Sequence, residues 1–325
     1  MASAYSTGQL SKYLRCITLP PQYEPYVQSP QSFPKTEEAL TVLFRCQITR
    51  FPYDNLSVFK SEKSLVDIKP QSIYTKLIGG ESDDSKPTGR GGYCLECNIF
   101  FYHVLKGLGF SVYMTGVRSR IRIDGIPQGD YKGWKHMANI VKLATTTTSQ
   151  EYHVDVAFGG DGPTRPMPLI SGQEFQSLGL QEVRLIYDNI PQQTRLERKF
   201  WIYQYRNGPD KAWNSLYAFA EFEFFHDDIE VINHFTSWET LTNNELWIVK
   251  FIRDGETHGL PITNDEEGFK GLGDGGISVV GKIMFISGSP DVIKLNMGGK
   301  SRVINSLMTR EARVQGLRKW FGIHI

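Results

Sequence analysis

The chain has 325 residues, about twice the length of a typical ~150-residue domain, so we expect two or three domains. Hydrophobic residues make up 40 % and charged residues 22 %, which excludes wholesale disorder and supplies material for a large core. Basic and acidic residues number 36 and 35, and the net charge of +1 argues against binding nucleic acid or an anionic membrane through bulk charge.

The cysteines and the chain start predict a cytoplasmic protein. The sequence has no apolar run of roughly 20 residues, the length of a membrane span, and its first residues lack the charged and apolar regions of a signal peptide. Four cysteines are too few for a disulfide framework in a chain of this length. We therefore expect free thiols in a reducing compartment.

Residues 1–110 are predicted to form a helical domain, because apolar residues recur there at spacings of three and four. Thr36 is expected to cap one helix, and Pro70 is expected to begin a second. A polar loop over residues 81–89 precedes a third, more apolar helix that begins near Cys94.

Residues 111–225 are predicted to form a largely antiparallel β-domain, because the apolar period there shortens to two. The final part, residues 226–325, mixes both periods and is predicted to be an α/β domain. The predicted strands are residues 111–123, 139–143, 152–158, 183–187, 200–205, 216–224, 246–252, 279–286 and 292–297. The predicted helices of the final part are residues 228–235 and 310–321.

Two short motifs match the sequence pattern of a known site but lack the neighbouring elements or ligands that the site needs. Residues 271–276 match the dinucleotide fingerprint, but a strand is predicted after them where the fingerprint needs a helix, so we interpret them as a loop. Cys94 and Cys97 could be half of a zinc site, but no second pair completes four ligands. The same two thiols could form a redox pair at a helix start, and a thiol-disulfide oxidoreductase is therefore an alternative function.

The segment Arg-Gly-Gly-Tyr-Cys leads from a polar loop into an apolar helix and places Cys94 at its first turn. A helix N-terminus favours the nucleophilic thiolate, but its dipole alone is too weak, so a histidine partner is expected. His136 begins a predicted strand. Asp155 interrupts an apolar one, where a buried carboxylate needs a partner such as a histidine. A solvent-facing strand residue is the other interpretation of Asp155.

Four separated motifs together resemble the arylamine N-acetyltransferase family, and the length and insertions are most similar to fungal members. The resemblance covers nearly the whole chain and implies an α+β multidomain protein with a cysteine-protease-like Cys-His-Asp core formed by Cys94, His136 and Asp155. It implies a helical domain over residues 1–110, an antiparallel β-barrel domain over 111–225 and an α/β lid over 226–325. The motifs are Phe51-Pro52-Tyr53-Asp54-Asn55-Leu56, Arg90-Gly91-Gly92-Tyr93-Cys94-Leu95-Glu96, the strand starting at His136, and Val154-Asp155-Val156-Ala157-Phe158-Gly159.

The resemblance also implies roles outside the triad. Tyr53 and Phe158 would bind the acceptor substrate, and Gly133 would lie close to coenzyme A. Asp54, which stands where the family has glutamate, would form a structural pair with Arg90 and hold the nucleophile loop in place.

The activity implied by the resemblance is ping-pong acyl transfer in xenobiotic detoxification. An acetyl group, or another short acyl group, would pass from acyl-CoA through a Cys94 thioester to an arylamine, arylhydrazine or arylhydroxylamine. The partners would thus be a coenzyme A thioester as cosubstrate and a small aromatic amine, with no metal, nucleic acid or membrane. A Cys-His protease shares the order of the triad and is a second alternative, although the Cys-Gly-Ser-Cys-Trp signature of one such family is absent.

Overall fold

The computed structural model describes residues 2–60, 65–79, 89–145, 148–256, 259–262 and 276–324. The loops predicted at 81–89 and 271–276 therefore lie almost entirely outside the described residues. Across the described ranges, no helix is long and apolar enough to cross a membrane.

The N-terminal part is mostly helical, as the sequence predicts. The Thr36 hydroxyl caps the second helix by accepting a 3.2 Å hydrogen bond from the Ala39 N–H, and Pro70 is the first residue of the fourth. Two 3-10 helices, Pro21–Val27 and Pro30–Ser32, connect the first two α-helices. The α-helices are α1 (Thr7–Cys16), α2 (Glu37–Arg50), α3 (Leu56–Lys60), α4 (Pro70–Ile78) and α5 (Cys94–Gly107).

Helix α5 lies at the centre of the largest hydrophobic core. Every side chain from Cys94 to Leu105 is buried, and the fully buried Phe100 ring lies 5.5 Å from Tyr13 and 5.7 Å from Phe51. Burial of a phenylalanine of this kind stabilises a fold by roughly 1.5–3 kcal/mol. The packing therefore fixes the position of the helix that begins at Cys94.

The middle part of the chain forms an eight-stranded antiparallel sheet, with strand order β7-β6-β5-β2-β11-β10-β9-β8, and a separate hairpin β3-β4. Its edge strands β7 and β8 do not pair with each other among the described residues, so the antiparallel β-domain expected as a barrel is an open half-barrel sheet. These edges have two and three residues, and Pro168 has no N–H to donate to a further strand. The strands are β2 (Ser111–Ser119), β3 (Ile121–Ile123), β4 (Ile126–Gln128), β5 (His136–Ala144), β6 (Ser149–Val154), β7 (Met167–Pro168), β8 (Glu174–Gln176), β9 (Glu182–Asp188), β10 (Phe200–Arg206) and β11 (Asn214–Phe219).

The C-terminal part contributes four strands to a five-stranded sheet of order β1-β12-β13-β14-β15. These four strands lie between two helices in the chain. The edge strand of the sheet, β1 (Tyr53–Asp54), comes from the N-terminal part, with Tyr53 opposite Val249 and Asp54 opposite Ile248. The sheet therefore reaches the segment that precedes the nucleophile helix. The remaining elements are α6 (His226–Asn243), β12 (Trp247–Arg253), β13 (Val279–Ile286), β14 (Asp291–Met297), β15 (Lys300–Leu307) and α7 (Arg310–Phe321).

Three predicted strands end earlier than expected, and the one predicted over residues 111–123 ends at Ser119, before the separate strand β3. The strand predicted over residues 152–158 ends at Val154, so Asp155 lies just beyond β6 and not within it. Its carboxylate accepts a hydrogen bond from the Ala157 N–H at 3.1 Å, a local turn that takes the place of the strand ladder. The strand predicted over 216–224 ends at Phe219, and only a single bridge at Phe224 follows.

The contact between Gly179 and Gly298 joins the half-barrel to the C-terminal sheet and gives a test of the fold. A Cβ at Gly179 would lie 1.8 Å from the Gly298 carbonyl oxygen, whereas a Cβ at Gly172 would meet nothing within 4 Å. Both glycines have φ in the left-handed region, at 60° and 83°, so Gly172→Ala controls for backbone strain. We expect Gly179→Ala to lower the free energy of unfolding by about 1–3 kcal/mol more than Gly172→Ala in chemical denaturation. Equal losses would contradict this contact.

Candidate active site

Cys94 is the first residue of α5, and its side chain is buried. The glycines before it lie against the Pro52 backbone: the Gly92 N–H donates to the Pro52 carbonyl at 3.2 Å, and a Cβ at Gly91 would lie 1.7 Å from the same oxygen. The Glu96 carboxylate accepts from the Tyr93 N–H at 2.9 Å and caps the helix. Only glycine fits at position 91, and this close approach sets where the helix and its thiol begin.

Asp54 and Arg90 form a two-pronged ion pair beneath the nucleophile loop. Arg90 Nη2 donates to Asp54 Oδ1 at 2.7 Å, and Arg90 Nε donates to Oδ2 at 3.2 Å. The Gly91 and Leu56 N–H groups donate to the same carboxylate at 2.9 and 3.2 Å. Burial by itself raises the pKa of Asp54, but the charges of Lys76 and Arg90 and these hydrogen bonds hold it below its usual value. The carboxylate thus joins the β1 segment to the loop that carries Cys94.

His136 and Asp155 form a second buried ion pair. His136 Nε2 lies 2.8 Å from Asp155 Oδ2, and both residues are less than 5 % exposed. Burial lowers the pKa of His136, but the Asp155 charge and hydrogen bonds to Asp155 and Cys94 outweigh it and raise that pKa to about 10. Burial likewise raises the pKa of Asp155, and the His136 charge lowers it below its ordinary value. The structure therefore joins His136 to Asp155, and Cys94 is one of the neighbours that raise the pKa of His136.

Asn98 holds Asp155 in place, and the sequence analysis did not identify it. Its side-chain nitrogen donates to Asp155 Oδ1 at 3.0 Å and to the Met137 carbonyl at 2.9 Å, while its side-chain oxygen accepts from the Val156 N–H at 3.1 Å. One turn of α5 separates Asn98 from Cys94. A polar residue on the buried face of an apolar helix was the signal that could have found it.

The predicted substrate-binding residues, Tyr53 and Phe158, line one cavity of about 480 Å³. The Phe158 ring packs edge-on against His136 at 5.1 Å, so this lining residue separates the cavity from the ion pair. Gly133, the predicted coenzyme A contact, is exposed, and a Cβ there would meet nothing within 4 Å. The residues that line the cavity are Tyr53, Asn55, Arg122, Gly125, Lys135, Phe158, Gly159, Gly160, Asp161, Glu239, Thr240, Asn243, Glu245, Trp247, Val249, Lys282 and Met284.

Cys97 differs from Cys94 in its surroundings. Its side chain is buried behind Gly92, where a Cβ would lie 3.1 Å from its sulfur, and burial raises the pKa of its thiol. All four cysteines are described as free thiols, so Cys94 and Cys97 are not disulfide-bonded. Within the described ranges, no group of three or more His, Cys, Asp or Glu side chains is placed to hold a metal ion.

The Asp54–Arg90 pair predicts a large effect on stability. Asp54→Ala leaves the Arg90 guanidinium buried without this carboxylate, and we expect a loss of about 3–5 kcal/mol in the free energy of unfolding. Glu197→Ala removes an exposed partner of Arg195 and should cost less than about 1 kcal/mol. Urea denaturation measures both. A folded Asp54→Ala variant with unchanged stability but no acyl transfer would instead make Asp54 a catalytic residue.

Asp155→Asn tests the second pair, because the change nearly preserves shape and removes the charge that stabilises the imidazolium. An ordinary thiol is only about 0.3 % ionised at pH 6. A thiolate stabilised by a neighbouring imidazolium is therefore detected by its faster reaction with iodoacetamide at that pH. We expect Asp155→Asn to slow alkylation of Cys94 at least about 10-fold, with folding checked by circular dichroism. Asp188→Asn, an exposed carboxylate at the end of β9 that pairs with Lys199, is the control. Equal rates in wild type and Asp155→Asn would reduce the site to a Cys-His pair.

A family model described as N-acetyltransferase matches residues 36–255, more than half of the chain. An N-malonyltransferase of Gibberella moniliformis is 26 % identical over 341 residues, covering 99 % of this chain and 90 % of that protein. Such fungal relatives support the prediction of a fungal member.

Solved structures share the fold. The arylamine N-acetyltransferase of Salmonella typhimurium superposes with a TM-score of 0.66 at 20 % identity, over 98 % of this chain and 92 % of that one. The Mycobacterium marinum enzyme in complex with CoA gives a TM-score of 0.67 at 21 % identity, over 97 % and 92 % of the two chains. The mixture of helices and a half-barrel sheet is therefore an architecture that solved structures share with this chain.

Proposed function

The chain belongs to the arylamine N-acetyltransferase family, as its motifs predict, and is an acyl-transferring enzyme. We propose that it transfers a short acyl group from a coenzyme A thioester to the nitrogen of an arylamine, arylhydrazine or arylhydroxylamine. The observation that carries this proposal is the buried His136–Asp155 pair, 2.8 Å apart, with Cys94 among the groups that raise the pKa of His136 and with a neighbouring cavity lined by Tyr53 and Phe158.

In the first half-reaction, the Cys94 thiolate attacks the thioester carbonyl carbon of acyl-CoA. A carbon–sulfur bond to Cys94 forms, and the bond to the coenzyme sulfur breaks with its electron pair. The leaving thiolate takes a proton from the His136 imidazolium and departs as free coenzyme A. One thioester replaces another, and backbone N–H groups at the start of α5 are the candidates to stabilise the oxyanion.

In the second half-reaction, the acyl-enzyme meets a neutral His136, because the imidazolium proton has left with coenzyme A. The amine nitrogen attacks the acyl carbon, His136 accepts the proton of the nitrogen, and Asp155 stabilises the charge that forms on the ring. The carbon–sulfur bond to Cys94 then breaks and the amide is released. The proton from the amine stays on His136 and Cys94 leaves as a thiolate, so the starting ion pair of the enzyme is regenerated.

Two features favour aromatic acceptors. Aromatic amines are largely neutral at pH 7 and can attack, whereas aliphatic amines are protonated and lack a free electron pair. The rings of Tyr53 and Phe158 line the cavity and offer apolar faces to an aromatic substrate. Detoxification of aromatic xenobiotics is the role that this acceptor class suggests.

The proposal includes acyl donors other than acetyl-CoA. The relative from Gibberella moniliformis is an N-malonyltransferase that aligns with nearly the whole chain, which supports malonyl-CoA as a donor alongside acetyl-CoA. The four free cysteines support a reducing, cytoplasmic location.

The alternatives differ in what they require of Cys97. A thiol-disulfide oxidoreductase needs a resolving thiol that reacts, whereas the Cys97 side chain is buried and its pKa is raised. A Cys-His protease needs only Cys94 and His136, but acylation by a coenzyme A thioester separates it from the proposed transferase.

The covalent intermediate gives the test. Brief incubation with acetyl-CoA or malonyl-CoA, without an acceptor, should add one acyl mass to the peptide that carries Cys94. Cys94→Ser should abolish the label, and Cys97→Ser should retain both label and amide formation. Mass spectrometry of the digested protein measures both. Label on Cys97, or no label with any short acyl-CoA, would contradict the proposed function.

A further inference from the structure

Three charged side chains meet in the cavity next to Phe158. Asp161 Oδ2 lies 2.7 Å from Arg122 Nη2, and Asp161 Oδ1 lies 3.3 Å from Lys282 Nζ. Lys282 Nζ also donates to the Gly160 carbonyl. One carboxylate is therefore shared by two cations, and the charged cluster formed by Arg122, Asp161 and Lys282 has a net charge of +1. The same cavity is also lined by the Lys135–Glu239 pair and by the exposed Glu245.

The burial of Lys282 makes this surplus charge unusual. Its side chain is 6 % exposed, although an ammonium is costly to remove from water unless it is fully paired. The ammonium has three N–H donors, and the structure gives it two acceptors, Asp161 Oδ1 and the Gly160 carbonyl. A further anion in the cavity would complete the pairing of the charged cluster as two cations with two carboxylates.

The position of the charged cluster relates that anion to the reacting group. Arg122, Asp161 and Lys282 line the same cavity as Phe158, and Phe158 packs against His136. Lys282 and Met284, on one face of β13, both belong to that lining. The charged cluster thus lines a cavity that adjoins His136 through Phe158, and an anion bound there would lie on the same side of Phe158 as the cluster.

We propose that Arg122 and Lys282 bind a carboxylate at the far end of the acyl group, so that the preferred donor is a dicarboxylic acyl-CoA such as malonyl-CoA. This inference rests on the proposed function and specifies its donor class. An acetyl methyl group offers no partner to the surplus charge, whereas the malonyl carboxylate is separated from the thioester carbonyl by one carbon. The donor class agrees with the N-malonyltransferase relative, and the charged cluster supplies a physical reason for it.

The phosphates of coenzyme A and the carboxylate of an acidic acceptor share the same anionic chemistry. The experiment therefore measures acylation of Cys94 alone, in rapid-mixing assays of coenzyme A release without acceptor, with malonyl-CoA and acetyl-CoA as the two donors. Both donors carry identical phosphates, so a phosphate contact changes both rates together. An acceptor contact changes neither.

The first variant is Lys282→Met, whose side chain is similar in length and neutral. We expect kcat/KM for acylation by malonyl-CoA to fall about 10- to 100-fold, as for loss of a charge-assisted hydrogen bond, while the value for acetyl-CoA changes less than about 3-fold. Lys282→Arg keeps the charge and should restore part of the preference. Arg122→Gln, on the partly exposed hairpin β3-β4, should reduce the malonyl preference in the same direction and serves if Lys282→Met does not fold.

The matched control is Lys250→Met on the neighbouring strand β12. Lys250 pairs with Ile283 and therefore lies on the opposite face of the sheet from Lys282, lining a different cavity. Lys250→Met should leave the ratio of the two kcat/KM values, malonyl-CoA to acetyl-CoA, unchanged. Equal losses for both donors in Lys282→Met and Arg122→Gln would overturn the proposal in favour of a phosphate or packing role. Unchanged acylation in both variants, with a raised KM for p-aminobenzoate in a separate steady-state assay of amide formation, would overturn it in favour of acceptor binding.

The failure of this inference can be separated from failure of the proposed function. If wild-type enzyme is acylated readily by acetyl-CoA but not by malonyl-CoA, the carboxylate site is wrong and the transferase proposal stands. If neither donor acylates Cys94, the proposed function itself fails. Acylation by malonyl-CoA that depends on Lys282 and Arg122 supports both.

Discussion

The constraint on which the site depends is the burial of a charged carboxylate, Asp155, against the buried ring of His136. Removing either charge from water is unfavourable, and truncating one partner of such a pair typically costs about 3–5 kcal/mol. Their 2.8 Å contact lowers the pKa of Asp155 and raises that of His136 to about 10. These shifts favour the charged form of both groups at neutral pH, as the proposed role of His136 beside Cys94 requires.

Contacts elsewhere in the fold hold these side chains in position relative to one another. Asn98 ties α5 to the segment after β6 through Asp155 and Val156, and it ties α5 to β5 through the Met137 carbonyl. Arg90 and Asp54 hold the loop before Cys94 against β1, which is also the edge of the C-terminal sheet. Displacement of any one of these elements would move the thiol relative to the imidazole. The catalytic chemistry that we propose therefore depends on packing between parts of the chain that are distant in sequence.

The sequence predicts elements with a strong local pattern and misses those set by distant partners. The bounds of β13 (Val279–Ile286) and α7 (Arg310–Phe321) agree with the prediction, because β13 is a short, mostly apolar run and α7 begins after a capping Thr309 and ends before Gly322. Strand β15 (Lys300–Leu307) was missed, because it is an edge strand of mostly polar or exposed residues. The two-residue strand β1 has no periodicity at all. Asn98 was also missed, because its hydrogen-bond partners Met137 and Asp155 lie about 40 to 60 positions later in the chain.

The central claim is that Asp155 keeps His136 protonated beside Cys94, and nitrogen NMR of the folded protein labelled with ¹⁵N-histidine tests it most directly. His136→Gln assigns the signal by its disappearance. The account predicts that both ring nitrogens of His136 carry protons at pH 7 and that the ring loses a proton only as the pH approaches about 10, because its pKa is raised. A neutral His136 ring at pH 7, titrating near the ordinary histidine value of about 6.5, would contradict the account.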